Sequence, residues 1–206
     1  MGKRSKRAQR CNDCRMHLQL CLCDRLPQLH MATKVAVVMH HRESTKTTAS
    51  APLFLLAHPE SALYLRGRKE TPFDDSGLVE PERRSLLLFP REGALTLTPE
   101  LVAQDCRPIT LVVPDGSWRQ ASKACKREPT LAGMQCVVLP DMGETRYRLR
   151  REPKQGGLST FEAIARALRI IEGEAIYQSL DQLFTTMVER TLATRGNSAQ
   201  PLKIHH

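Results

Sequence analysis

The residues around the only tryptophan of this 206-residue chain bring a carboxylate, a glycine and a hydroxyl together within four positions. Asp115-Gly116-Ser117-Trp118 follows the run Ile109 to Val113, which predicts a buried strand that Pro114 ends. Ser117 is suited to cap a following helix. Asp115 is therefore expected at the carboxyl end of a strand, where open α/β sheets collect ligand-binding and catalytic groups. The alternative is that Asp115 only completes a turn, because Asp, Gly and Ser are common turn residues.

Four of the seven cysteines are grouped near the start of the chain as C-x2-C-x6-C-x-C, at Cys11, Cys14, Cys21 and Cys23. No secretory signal precedes them, so thiolate ligation of zinc is favoured over disulfide formation. Four thiolates fill a tetrahedral shell, which predicts a structural rather than a catalytic zinc ion. The alternative is a set of free cysteines on a flexible arm.

The charge balance favours a polyanionic partner. The chain has 31 Lys and Arg against 22 Asp and Glu, a net charge of +9, and phosphate neutralisation dominates nucleic-acid affinity. The cations form three clusters: before the first cysteine, on the helix after Trp118, and in the segment after Tyr147. The candidate RNA-binding residues in these clusters are Lys3, Arg4, Lys6, Arg7, Arg119, Lys123, Arg148 and Arg150. Charge alone does not distinguish RNA from DNA.

The elements that must position these groups alternate between strand and helix. Short apolar runs predict strands at 34–39, 62–65, 86–89, 109–113 and 136–139. Helices are expected at 53–57, after Ser117, after the capping box formed by Ser159 and Glu162, and after Gly173. The stretch 66–84 is rich in charge, Pro, Asp and Gly, so we expect a loop there. The alternation predicts an α/β fold with a mainly parallel sheet.

Four motifs occur in a fixed order along the chain: Leu88-Phe89-Pro90-Arg91-Glu92-Gly93-Ala94, the Asp-x-Ser-Trp-x-x-Ala element ending at Ala121, Tyr147-Arg148-Leu149-Arg150, and Leu158-Ser159-Thr160-Phe161-Glu162-Ala163. In this order and spacing they closely resemble the DTW-domain family, which contains tRNA-uridine aminocarboxypropyltransferases. The resemblance extends from about Cys11 to Leu192. It implies S-adenosylmethionine as donor, a tRNA uridine as acceptor, and a SPOUT-like fold with a knotted cofactor site.

Carried over by motif position, the resemblance also implies which residues line the donor site. They are Leu88, Phe89, Pro90, Glu92, Leu111, Pro114, Gly116, Trp118, Leu139, Tyr147, Leu149, Ser159, Thr160 and Glu162. Attack by uridine N3 would be helped by a carboxylate that accepts its proton. We assign that catalytic role to Asp115, the acidic group inside the most specific motif, and its rival is Glu162.

One departure from the family pattern concerns the first helix. The family often has an Asn-Thr pair after a basic residue there, whereas this chain reads Lys46-Thr47-Thr48-Ala49-Ser50, so Ala49 stands in place of the Asn. Two other functions remain open at this stage. One is a SPOUT-type RNA methyltransferase, and the other is a non-catalytic zinc-ribbon RNA-binding protein.

The chain divides into a basic arm with the four-cysteine zinc module at 1–31, a DTW catalytic domain at 32–196 and a C-terminal tail at 197–206. We expect the module to lie apart from the donor loops. No apolar run approaches the roughly 18–20 residues that span a bilayer, and the basic N-terminus lacks the apolar stretch of a secretory signal. These features predict a cytoplasmic protein, and a monomer is favoured.

Overall fold

The computed structural model describes residues 9–46, 50–140, 145–147 and 157–196. The strands in these residues are β1 Lys34–His40, β2 Ala62–Arg66, β3 Arg84–Leu88, β4 Leu95–Thr96, β5 Ile109–Asp115 and β6 Gln135–Val138. The helices are α1 Ala51–Ala57, α2 Pro99–Ala103, α3 Trp118–Arg127, α4 Pro129–Gly133, α5 Thr160–Ile171 and α6 Glu174–Gly196. Two single-turn 3-10 helices, Leu18–Leu20 and Cys23–Arg25, precede β1.

The six strands form one sheet in the order β2-β1-β5-β3-β6-β4, and every neighbouring pair is parallel. The predicted α/β fold with a mainly parallel sheet is confirmed. Because β5, β3 and β6 are consecutive neighbours, the connections that leave their carboxyl ends start side by side. Those connections contain the Gly116 turn, the Pro90 turn and the segment through Tyr147, so the sheet order brings the starts of the three predicted donor loops to one edge.

Strand residues alternate between two cores, one on each face of the sheet. Val35, Val37 and Met39 of β1 point to the face covered by α1, α5 and α6, where we call the packed residues the first core. Ala36 and Val38 point to the second core, under α3 and α4. Since α5 is also packed against α6, it is enclosed between the sheet and another helix, whereas α3 has one side open to solvent.

Three short elements are not predicted from the sequence: β4, α2 and α4. Each is five residues or shorter, too short for periodicity to identify. Local signals for the helices are nevertheless present. Thr98 caps α2 by accepting a hydrogen bond from the Leu101 amide, and Pro99 and Pro129 occupy first-turn positions that suit proline.

Two expectations about loops are refined by the structure. Pro114 does not end β5, because the strand continues to Asp115 with Pro114 opposite Val38 of β1. Pairing of β5 with β3 stops at Val112, so proline stands where the strand is paired on one side only. The loop predicted at 66–84 is a loop at 67–83, because Arg66 ends β2 and Arg84 begins β3. This loop is packed against the sheet, since Leu78 is fully buried in the second core.

The knot implied by the family resemblance is a property of the complete chain path, which includes the connection between β6 and α5. That connection includes residues 141–144 and 148–156, so the knot lies outside the described residues and stays a prediction. None of the helices in the described part of the chain has the length and apolarity needed to cross a membrane.

Candidate functional site at the carboxyl edge of the sheet

Asp115 lies at the last position of β5, half-buried, at the carboxyl edge of the sheet. Its Oδ1 accepts a hydrogen bond from the Thr160 hydroxyl at 2.5 Å. Thr160 is the first residue of α5, so this bond joins the β5–α3 turn to a helix start 45 positions later in the chain. The carboxylate is thereby oriented at the N-terminus of α5, where the helix dipole favours negative charge.

A third segment reaches the same place from β1. Ser50, the residue before α1, is buried, and its hydroxyl accepts a hydrogen bond from the Phe161 amide at 3.3 Å. This bond uses one of the amides that a helix start leaves without an intrahelical partner. Ser50, the turn after β5 and the start of α5 therefore meet around Thr160.

Glu162 is buried and fully engaged by neighbouring donors. Its Oε1 accepts from the Arg146 amide at 2.7 Å, and its Oε2 accepts from the Thr145 hydroxyl at 2.7 Å and the Ser159 amide at 3.0 Å. The predicted capping box of Ser159 and Glu162 is present. Glu162 thus fastens the segment 145–147 to the start of α5, an arrangement suited to holding structure rather than to accepting a substrate proton.

The start of α3 has the same local motif in an exposed setting. The Ser117 amide donates to Gln120 Oε1 at 2.7 Å, and the Gln120 amide donates to the Ser117 hydroxyl at 3.4 Å. Gly116 has φ +150°, and a Cβ there would lie 3.0 Å from Gln120 Oε1. Only glycine fits this turn without displacing the cap.

The aromatic ring of Trp118 packs at the second core. It is half-buried, and its centroid lies 5.9 Å from that of Phe89, which follows β3. The contact joins the loops that leave two adjacent strands, β3 and β5. Two of the predicted donor residues are therefore brought together directly.

The remaining donor candidates differ in how accessible they are. Pro90 and Glu92 are exposed after β3, and Pro114 and Leu139 are half-buried at the carboxyl edge. Leu88 is buried, as is Tyr147, whose ring lies 5.8 Å from Phe184 of α6. Leu111 is fully buried well inside β5, opposite Val35 and Leu86. Leu149 lies outside the described residues.

A cavity of about 250 Å³ lies beside Glu162 between α5 and α6. An ion pair at its rim joins Arg146 Nη1 to Asp181 Oδ2 at 2.8 Å. Asp115 does not line this cavity. Its volume is below the range that encloses a ligand the size of a nucleoside derivative.

The four cysteines of the N-terminal module come together as predicted. Their Sγ atoms all lie within 4.8 Å of one another, with 3.6 Å between Cys11 and Cys23 and between Cys14 and Cys21. Tetrahedral ligands about 2.3 Å from zinc are about 3.8 Å apart, so the cluster fits a zinc ion. A disulfide needs a sulfur separation near 2.05 Å and is not formed here.

The surroundings of these thiols differ. Backbone amides of Cys14 and Asp13 lower the pKa of Cys11 to about 7, whereas burial raises the pKa of Cys23 to about 12. A thiol with so high a pKa is protonated at neutral pH unless a cation binds it. Metal coordination deprotonates such a thiol, so all four cysteines would be thiolates together only in the metal-bound state.

The cations on α3 form one exposed stripe. Arg119, Lys123, Lys126 and Arg127 occur at helical spacing and all are exposed. The ion pairs found within the described ranges do not include them. Of the other predicted RNA-binding residues, Lys3, Arg4, Lys6, Arg7, Arg148 and Arg150 fall outside the ranges that the structure describes.

Sequence reasoning missed Ser50, Thr145 and Arg146 as partners of the start of α5. Ser50 stands before α1, but its side chain does not cap that helix, so no local signal pointed to its bond with the Phe161 amide. The bonds from Thr145 and Arg146 to Glu162 had no local signal either, because they connect segments through folding of the chain.

A model of the DTW domain matches residues 8–192 of the chain. The chain belongs to the DTW-domain family. The prediction from the four motifs is confirmed, and the Asp115 turn, the Pro90 turn and the start of α5 are the parts of this DTW domain that meet at the carboxyl edge.

Other DTW-domain relatives have names that state an activity. The tRNA-uridine aminocarboxypropyltransferase 2 of Macaca fascicularis is 29% identical over 173 residues, which cover 82% of this chain and 58% of the relative. The Drosophila melanogaster protein of the same name is 27% identical, with 81% and 68% covered. The Arabidopsis thaliana tRNA-uridine aminocarboxypropyltransferase A is 27% identical, with 88% and 80% covered. This chain therefore spans less than two thirds of the macaque relative.

The fold is also similar to that of a solved structure, the SAM-dependent rRNA:acp-transferase Tsr3 from Vulcanisaeta distributa. The TM-score is 0.52 at 17% identity, and the alignment covers 79% of each chain. At this identity the likeness establishes the shared fold.

Proposed function

We propose that this DTW-domain protein is a tRNA-uridine aminocarboxypropyltransferase. It transfers the 3-amino-3-carboxypropyl group of S-adenosylmethionine to N3 of a tRNA uridine and releases 5'-methylthioadenosine. The observation that carries the proposal is the hydrogen bond between Asp115 and Thr160, because it fixes a carboxylate where the family motifs meet. The names of the relatives support the same activity.

The donor binds at the carboxyl edge of β5, β3 and β6. Its sulfonium supplies the leaving group, so the protein has to orient the donor and prepare the acceptor. The half-buried or exposed candidates Pro90, Glu92, Pro114, Trp118 and Leu139 can contact it from three adjacent loops. The aminocarboxypropyl group is transferred, and not the methyl group, when the carbon that joins the aminocarboxypropyl chain to sulfur is held close to N3.

Asp115 accepts the N3 proton of the uridine as the nitrogen attacks. A bond forms between N3 and the terminal carbon of the aminocarboxypropyl chain, while the bond from that carbon to sulfur breaks. The electron pair of the broken bond neutralises the sulfonium and methylthioadenosine leaves. Asp115 then releases its proton to solvent. Glu162 is the weaker candidate for the base because three donors already occupy its two oxygens.

The tRNA is held by its phosphates. The exposed cations lie along α3, which begins at Trp118 beside the carboxyl edge of the sheet. A tRNA phosphate backbone bound to them would therefore run past that edge. The zinc ion held by Cys11, Cys14, Cys21 and Cys23 is structural, since four thiolates leave no open coordination position. Reduced thiols and a tRNA substrate favour the cytoplasm as the compartment of this reaction.

The decisive experiment incubates the purified chain with S-adenosylmethionine and unmodified tRNA and then analyses the nucleosides by mass spectrometry. We expect uridine carrying one aminocarboxypropyl group, with an equal amount of methylthioadenosine. A methyl-sized mass gain with S-adenosylhomocysteine would instead identify a methyltransferase. Binding of tRNA without binding of S-adenosylmethionine would identify a non-catalytic RNA-binding protein.

A further inference from the structure

Within the described residues, side-chain hydrogen bonds attach the cysteine module to two parts of the domain. One attachment is to α6, where Arg190 Nη1 donates to the Cys21 carbonyl at 2.6 Å and to the Leu20 carbonyl at 3.3 Å. Met16 and Leu22 of the module are buried in the first core. This side of the module is therefore packed like an ordinary part of the fold.

The second attachment is to the loop after β1. The Arg15 guanidinium donates from Nη1 to the carbonyl of Ser44, 29 positions later. Arg15 directly follows Cys14 and has φ 60°, which is uncommon for a residue with a side chain. Its amide donates to the Cys11 carbonyl at 3.1 Å, so the turn between the first two cysteines fixes the direction of the arginine.

The loop that receives this bond, residues 41–46, is compact and tied to the sheet. The His41 amide donates to the Arg66 carbonyl at 2.9 Å, and the Lys46 amide donates to the Glu43 carbonyl at 3.0 Å. Lys46 Nζ also pairs with the buried Glu43 carboxylate at 2.6 Å. A bond to the Ser44 carbonyl thus reaches the middle of a loop whose position is already restricted.

The same stretch of chain leads to the candidate active site. Ser50 follows this loop and accepts the hydrogen bond of the Phe161 amide. Phe161 is next to Thr160, which orients Asp115. A displacement of the loop after β1 would therefore affect the helix start that holds the catalytic carboxylate.

We propose that Arg15 is a positioning residue through which the cysteine module holds the loop after β1 at the edge of the active site. A metal held by the four cysteines would fix the turn from Cys11 to Met16, the turn that directs the Arg15 guanidinium to the Ser44 carbonyl. Loss of the metal or of the guanidinium loosens the loop. The module therefore supports donor binding, and only this consequence for the donor rests on the proposed function.

The test compares Arg15→Ala and Arg15→Lys with Arg25→Ala, which removes an exposed arginine of the same module. Zinc content is measured in each purified protein, and hydrogen exchange is followed at the Glu43 and Lys46 amides. In Arg15→Ala we expect full zinc content and exchange about tenfold faster at both amides, because one charge-assisted bond is removed. Arg15→Lys restores part of the protection, and Arg25→Ala matches the unmodified chain.

Binding of S-adenosylmethionine is then measured by calorimetry without tRNA. We expect the dissociation constant to rise about three- to tenfold in Arg15→Ala and in protein stripped of zinc by a chelator, with partial recovery in Arg15→Lys. In turnover, the change appears in KM for the donor more than in kcat. Unchanged exchange at Glu43 and Lys46 in both Arg15→Ala and the stripped protein would overturn the proposal. If exchange is faster in Arg15→Ala but the unmodified chain does not bind S-adenosylmethionine at all, the positioning role of Arg15 stands and the proposed function is refuted instead.

Discussion

The starts of α3 and α5 carry the same local motif in two different surroundings. Each has a serine N-cap and a capping box, made by Ser117 with Gln120 in α3 and by Ser159 with Glu162 in α5. The box of α3 is exposed, and its side chains make the two capping bonds and no others to the residues that the structure describes. The box of α5 is buried, and its glutamate also holds Thr145 and Arg146. The box of α3 caps its own helix, whereas the box of α5 also connects segments that are distant in the sequence.

The difference follows from where the helices lie. Helix α5 is enclosed between the sheet and α6, and Arg166 in its middle is only 9% exposed. Helix α3 covers the other face and turns its cations to solvent. The enclosed start can position groups for catalysis because its neighbours restrict it from several sides, while the open helix is available to a large partner. Asp115 connects the two, since it precedes α3 and is bonded to α5.

The largest effect is expected where the two helix starts meet. Asp115→Asn should keep the turn and donor affinity but lower turnover by about 10²–10⁴-fold, the usual loss when a general base is removed. Raising the pH should partly restore the rate, because uridine N3 then ionises without help. The measurement is steady-state kcat with tRNA together with donor binding by calorimetry.

The matched control is Asp105→Asn, which makes the same change in the loop before β5, at the opposite edge of the sheet. It should leave turnover unchanged. Near-normal turnover of Asp115→Asn at neutral pH would show that the base assignment is wrong.

A direct comparison of the two capping boxes is Glu162→Ala against Gln120→Ala. Removing Glu162 leaves three donors without their acceptor, among them the buried Ser159 amide, so we expect a loss of about 2–4 kcal/mol in the free energy of unfolding. Removing Gln120 from the exposed box should cost about 0.5–1 kcal/mol. Urea unfolding measures both values, and equal losses would mean that burial of the α5 box contributes nothing.

The turn before α3 can be tested through its glycine. Gly116→Ala places a Cβ about 3.0 Å from Gln120 Oε1 at φ +150°, and we expect a loss of about 1–2 kcal/mol from strain and displacement of the cap. Gly133→Ala is the control, because no atom lies within 4 Å of its added Cβ. That change should be neutral or slightly stabilising. Thermal unfolding of the two variants decides the point.

The smallest effect is expected on the open side of α3. Replacing Arg119 and Lys123 with Gln should weaken tRNA binding several-fold and reduce the salt dependence of log K by about one for each phosphate that is no longer neutralised. Donor affinity should not change. Binding is measured over a series of salt concentrations, and a salt dependence equal to that of the unmodified chain would remove α3 from the tRNA interface.

The sequence by itself determined the parts of this protein that depend on short spacing. The strand runs, both serine caps, the apolar face of α5 and the four-cysteine cluster are encoded within a few residues of one another, where periodicity and local hydrogen bonding decide the conformation. The order and spacing of the four motifs are likewise properties of the sequence, and they were enough to indicate the DTW-domain family.

Only the tertiary structure decided how those parts are combined. The bond from Thr160 to Asp115 joins residues 45 positions apart, and the bond from Arg146 to Glu162 joins residues 16 positions apart. Such contacts depend on the order β5-β3-β6 in the sheet and on the packing of α5 against α6. A capping box has the same sequence pattern whether it is exposed or buried. Its burial depends on how the helices pack against the sheet and not on the residues that form the cap.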